Sequence, residues 1–153
     1  PPLCIVGPND AGKTTLLESL VAELADAGRV GTIKSIHHDI EIDTPGKDTH
    51  RHRTAGADTV VGLTPSLSFE ITPGGKDAAG EIALLEATVD DLRSAGYEYI
   101  LIEGFHDAAY PKLVVGDRSV APPVVARGPP AAVDIPALAT AMIDGTLVDT
   151  DDT

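Results

Sequence analysis

Gly7-Pro8-Asn9-Asp10-Ala11-Gly12-Lys13-Thr14 is the stretch that decides the fold. It fits the spacing G-x-x-x-x-G-K-[ST]. That spacing has a chemical reason: the loop turns so that successive backbone N–H groups face one point, and its glycines let the main chain approach a phosphate closely. The flanks agree. Leu3-Cys4-Ile5-Val6 is an apolar run of strand length. From Thr14 to Ala27 the apolar residues Leu16, Leu17, Leu20, Val21 and Leu24 recur at offsets of three and four, which puts them on one helix stripe, and Gly28 stops it. A strand, a glycine turn and a helix aim the helix dipole at an anion. Asn9, Asp10, Ala11 and Gly12 then form the cradle. Lys13 reaches the β- and γ-phosphates, and the Thr14 hydroxyl binds Mg²⁺. Asp10 is an anion in an anion-binding loop, so its side chain is expected to point away from the phosphate.

Further along, Val30–His38 reads as a strand. Asp39–Asp43 alternates acids with isoleucines, giving one charged and one apolar face. Thr44–Ala57 reads as a loop with a short helix. Thr59–Leu63 and Leu67–Thr72 read as a strand pair, and Pro73-Gly74-Gly75 as a turn. Glu81–Ala95 carries Ile82, Leu85, Val89 and Leu92 on one helix face. Tyr99–Ile102, Lys112–Val115 and Pro123–Arg127 read as strands. Asp134 caps a last helix through Met142, with Pro136 in its first turn. Strands alternating with helices predict an α/β fold around a mainly parallel sheet flanked by helices, with an antiparallel edge hairpin from the middle pair. The whole chain, 1–153, is expected as one domain, with Asp149–Thr153 a mobile acidic tail.

A phosphate loop needs an acid at the end of a neighbouring strand to hold Mg²⁺. Glu103 sits there, after four residues of strand; Asp39 and Asp43 are second candidates. The segment Pro45–Arg53 holds three of the eleven Lys/Arg residues, Lys47, Arg51 and Arg53. Such a concentration in an acidic chain reads as a phosphate-binding patch, with Arg51 and Arg53 as planar forks. His37, His38, His50 and His52 do not make a transition-metal site on this pattern. Neighbours on a strand face opposite ways, arginines flank His52, and no cysteine cluster supports zinc.

Composition narrows the function classes. The 24 acidic and 11 basic residues leave a net charge of −13. That surface repels nucleic-acid backbones and anionic lipid, so neither partner is expected. Asp outnumbers Glu 16 to 8, Lys is only 5, and Phe, Tyr and Trp together are only 5, a pattern expected of a solvated surface in a salt-rich cytoplasm. No apolar run reaches the roughly 20 residues of a membrane span, so neither a span nor a signal peptide is expected. Cys4 is the single cysteine and reads as a reduced, buried cytoplasmic thiol.

Four stretches carry a resemblance: Gly7–Thr15; Ile33-Lys34 with His37-His38; Asp43-x-Pro45-Gly46-Lys47-Asp48-Thr49 followed by Ala55-Gly56-Ala57; and Leu101-Ile102-Glu103-Gly104-Phe105. Pro111-Lys112-Leu113 fits a following strand. The chain resembles the molybdopterin-guanine dinucleotide biosynthesis protein B family over about residues 3 to 115. The resemblance implies a P-loop NTPase fold, a homodimer, GTP bound with Mg²⁺ and at most weak GTPase activity. It also implies an accessory role beside the guanylyltransferase that joins GMP to molybdopterin, with molybdopterin a possible contact. By position, Gly12, Lys13 and Thr14 hold nucleotide phosphate and Thr15 assists. Glu103, followed by Gly104, matches the strand-end acid; Asp43, Lys47 and Asp48 match a loop near the crevice.

The alternatives are a small-molecule kinase on the same loop, a binding module without chemistry, and a metallochaperone GTPase, which the missing Cys/His ligand set disfavours. The kinase needs an acceptor base, for which Asp39 or Asp43 would serve, and an arginine-rich lid. No attacking-water residue is legible. The guanine-reading segment Asn-Lys-x-Asp is absent, so GTP over ATP rests on the resemblance.

Overall fold

Leu3 and Ile5 pack into one apolar cluster and Cys4 and Val6 into another, so this first strand divides two cores by simple alternation. A computed structural model describes residues 1–151 of the chain. In order, the elements are β1 (Leu3–Val6), α1 (Lys13–Leu24), β2 (Val30–Lys34), α2 (Asp48–Thr54), β3 (Val60–Leu63), β4 (Ser68–Ile71), α3 (Lys76–Ala79), α4 (Glu81–Ser94), β5 (Tyr99–Glu103), β6 (Lys112–Val115), β7 (Val124–Gly128), a 3₁₀ turn (Pro130–Ala132) and α5 (Ile135–Asp144). The described residues form two units. One is Pro1–Ser35 with the chain from Glu81 onward; the other is Ile36–Gly80.

The first unit holds a five-stranded sheet of order β2-β5-β1-β6-β7, parallel throughout. On one face, Leu16, Leu20 and Leu24 of α1 and Leu138, Ala139 and Met142 of α5 bury Leu3, Ile5, Leu101, Leu113 and Val115. On the other, Leu85 and Val89 of α4, with Phe105 and Ala108, cover Cys4, Val6, Ile100, Ile102, Val114 and Val124. A sheet buried on both faces needs continuous apolar strands, which is why β1, β5 and β6 lack polar alternation. Asp134 caps α5 as expected: its Oδ1 accepts from Ala137 N at 3.0 Å.

Lys112 is the exception in this core. It is fully buried, and its ammonium donates to the carbonyls of Ala108 and, at 2.9 Å, Tyr110. Desolvation holds it below the ordinary lysine range. Cys4 is its register partner across the sheet, and burial pushes that thiol up to about 12. The thiol is buried, as expected.

In the second unit, β3 and β4 pair antiparallel, with Val60 opposite Ile71 and both buried. The expected hairpin is present, but it forms a two-stranded sheet of its own, not an edge of the large one. Two other expectations change. The strand from Val30 ends at Lys34, short of His38, because its partner β5 ends at Glu103, opposite Lys34. Asp39–Asp43 forms no strand. Two of its acids turn to α2 instead: Glu41 meets Arg53 and His50, and Asp43 meets Thr49. Ile40 and Ile42 are left exposed.

Where it is described, the acidic tail makes contacts with β7. Thr150 N donates to Val124 O at 2.6 Å, Asp149 Oδ1 accepts from Val124 N at 3.0 Å, and Arg127 pairs with Asp151 at 2.9 Å. Positions 152 and 153 lie outside the described residues. No described helix is long and apolar enough to cross a membrane.

Candidate phosphate and magnesium site

The parallel sheet brings the carboxyl ends of β1 and β5 side by side, and the site is built there. The loop after Val6 leads to Gly12, which caps α1 in a left-handed conformation (φ 93°). No side chain caps this helix end, and no acid sits in its first turn. Its N-terminal amides therefore remain for an anion, and the helix dipole favours one there. Pro130 packs against Gly12 from the turn after β7, 3.0 Å from where a Cβ would stand. Asn9 and Asp10 are exposed; Asp10 adopts φ 59°, a region that Asp tolerates better than most residues. Ala11, Gly12 and Lys13 are half-buried, and Thr14 and Thr15 are exposed.

Lys13 Nζ folds back over the loop and donates to Gly7 O at 2.7 Å. Thr14 Oγ1 donates to Glu103 Oε1 at 3.0 Å. Glu103 is almost buried and ends β5. A hydroxyl and a carboxylate in contact beside an uncapped helix end are hard oxygen donors of the kind Mg²⁺ takes together with phosphate oxygens. The residues present fit that ion. Gly104 turns the chain away directly after the acid, at φ 103°. Its amide donates to Ile5 O at 2.9 Å, fixing the strand end against β1.

The other expected site residues lie in the second unit. Asp43 Oδ1 accepts from Thr49 Oγ1 at 2.8 Å and from Thr44 N at 2.9 Å, while its Oδ2 is buried without a partner. Arg53 Nη2 donates to Glu41 Oε1 at 2.7 Å. That hydrogen bond holds the Glu41 carboxyl below its usual range. His50 accepts from Gly46 N through Nδ1 at 3.2 Å and faces Glu41 with Nε2 at 3.8 Å. Arg53 and His50 therefore hold this loop together. Lys47, Asp48 and Arg51 are exposed. Within its unit, the structure brings together Thr14 and Glu103, while Lys13 bonds back to its own loop. The histidines form no metal-binding group among the described residues.

One residue at the site is absent from the sequence-derived set. Lys34 Nζ lies 3.6 Å from Glu103 Oε1. The available signal is positional: it is the last residue of the strand that pairs with the acid-bearing strand.

The family model for molybdopterin guanine dinucleotide synthesis protein B, MobB, matches residues 2–140. The molybdopterin-guanine dinucleotide biosynthesis adapter protein of Escherichia coli (strain K12) is 32% identical over 116 residues, covering 75% of this chain and 65% of that protein. A probable molybdopterin synthase of Haloferax volcanii is 32% identical over 135 residues, covering 88% of this chain and 45% of that protein. The chain thus spans from under half to about two thirds of these relatives' lengths. The crystal structure of Bacillus subtilis MobB superposes with a TM-score of 0.64 at 21% identity, covering 97% of this chain and 98% of that one, a likeness of fold. The strand-end acid, the uncapped loop and a family match across nearly the whole sequence agree, and the chain belongs to the MobB family.

Proposed function

We propose that this chain is a nucleotide-binding adapter in molybdopterin guanine dinucleotide synthesis, which binds GTP with Mg²⁺ and turns it over slowly at most. The observation that carries the reading is the Thr14–Glu103 contact at the mouth of an uncapped helix. The backbone amides from Gly12 to Thr15 would take phosphate oxygens. Lys13 would exchange the Gly7 carbonyl for the β- and γ-phosphates, and Thr14 and Glu103 would hold Mg²⁺. The ion supplies charge neutralisation and orientation of the phosphates. The guanine dinucleotide in the family's name supports GTP over ATP.

The partner on this reading is the guanylyltransferase that joins GMP to molybdopterin, with molybdopterin itself a further contact. Exposed Lys47 and Arg51 would meet its anionic groups. Homodimerisation belongs to the same reading. Val61, Leu63 and Leu67 of the hairpin are exposed and supply the apolar surface that a subunit contact needs.

Calorimetric titration tests the proposal. GTP is expected to bind in Mg²⁺, ATP to bind about tenfold more weakly, and Lys13→Ala to lose at least about tenfold in GTP affinity. Equal binding of ATP and GTP favours the small-molecule kinase. Unchanged binding in Lys13→Ala removes the cradle.

A further inference from the structure

Glu103 has two neighbours on one oxygen. Its Oε1 accepts the Thr14 hydroxyl and lies 3.6 Å from Lys34 Nζ. The lysine's place is built into the sheet. Lys34 and Glu103 are register partners and the last residues of β2 and β5. Just beyond them, Ser35 N donates to Glu103 O at 2.9 Å, and Gly104 packs so closely that a Cβ there would stand 2.8 Å from Ser35 Cβ. The backbones at this corner are locked together. The side chains are not equally so: that of Glu103 is 11% exposed and that of Lys34 is 59% exposed. An ammonium on a flexible four-carbon stem in water can change partners at little desolvation cost. A nearly buried carboxylate takes its orientation from whatever faces it.

We propose that Lys34 is a positioning residue of the nucleotide site: it holds the Glu103 carboxylate toward Thr14, yields it to a divalent cation, and turns its own ammonium to the phosphate tail. The inference rests on the nucleotide reading above. Two cations on one carboxylate oxygen repel each other, so Lys34 competes with a metal ion that arrives alone. A nucleotide that arrives with the metal brings negative charge and gives the displaced ammonium a new partner. Lys34 therefore opposes bare metal and favours metal with nucleotide. A lysine that merely supports the fold does neither.

The test uses calorimetry on wild type, Lys34→Ala and Lys34→Arg, with Mn²⁺ alone and with GTP at fixed Mg²⁺. Mn²⁺ takes the same oxygen donors as Mg²⁺. Lys34→Ala is expected to bind Mn²⁺ alone roughly three- to tenfold more tightly and GTP about tenfold more weakly, a divergence in sign. Lys34→Arg is expected to stay near wild type on both, and all three to share a thermal midpoint. Unchanged affinities, or two that move in the same direction, overturn the proposal. A wild type that binds Mn²⁺ but no GTP overturns the nucleotide reading instead, and this inference with it.

Discussion

Thr14 Oγ1 and Glu103 Oε1 meet at 3.0 Å although 89 positions separate them in the chain. The parallel pairing of β1 with β5 makes this contact, because both strands end at the same edge of the sheet. Thr14 is exposed and packs into neither apolar cluster, so replacing it tests the site without disturbing the core. In Thr14→Ala, GTP binding in Mg²⁺ is expected to weaken about tenfold or more, while binding in EDTA changes little. Calorimetry with and without the metal reads the difference. Equal loss in both conditions would separate Thr14 from the ion.

Gly104 carries the turn that ends β5. Any other residue there meets both a left-handed backbone and the Ser35 side chain. Gly104→Ala is expected to cost about 1–3 kcal/mol. Urea denaturation should show a lower midpoint at an unchanged slope.

Alkaline stability depends on the buried pair of Cys4 and Lys112. The Cys4 thiol is pushed from an ordinary 9.0 up to about 12. Between those values the unfolded chain has lost the proton that the folded chain keeps, so stability falls as the pH rises. Lys112 acts in the opposite sense. Its ammonium is held below 10.5, so from its folded value up to 10.5 the unfolded chain binds more protons and stability rises. At pH 10 the thiol alone is expected to remove about 1 kcal/mol relative to neutral pH. Cys4→Ala should flatten this decline in denaturant titrations run from pH 8 to 11. The same slope in both proteins would detach it from the thiol.

A net charge of −13 on 153 residues predicts a stability that depends on salt. Self-repulsion weakens the folded state, and salt screens it. The thermal midpoint is expected to climb as KCl rises from about 0.1 to 1 M, where the screening length shrinks from about 10 to 3 Å. A midpoint indifferent to salt would leave the aspartate-rich composition unconnected to stability.

The elements that were legible in advance are those whose signal is local. The apolar run Leu3–Val6, the leucine stripe of α1 and the Asp134 cap each state their structure within a few residues. Asp39–Asp43 was not legible in this way. Its alternation imitates a strand, but Glu41 is held by Arg53 and His50 and Asp43 by Thr49; no strand forms and the isoleucines are exposed. The contact of Arg53 with Glu41 was hidden too: a planar fork suits a phosphate and a carboxylate equally, and the sequence does not say which it meets here. Lys34 belongs to a stretch that carries the family resemblance, but no spacing there states a role for it. Its place depends on register, and register is a property of two strands.

By itself, the order of residues determined that a glycine loop with a lysine and a threonine would stand between a buried strand and an amphipathic helix. Spacing and side-chain period act over a few positions, so no other part of the chain is needed to state them. Only the tertiary structure decided that the Thr14 hydroxyl would reach the Glu103 carboxylate, that Lys34 would stand opposite that acid, and that the hairpin would form its own sheet. Those outcomes follow from which strands lie side by side, and burial of the two faces of a five-stranded sheet selects that order.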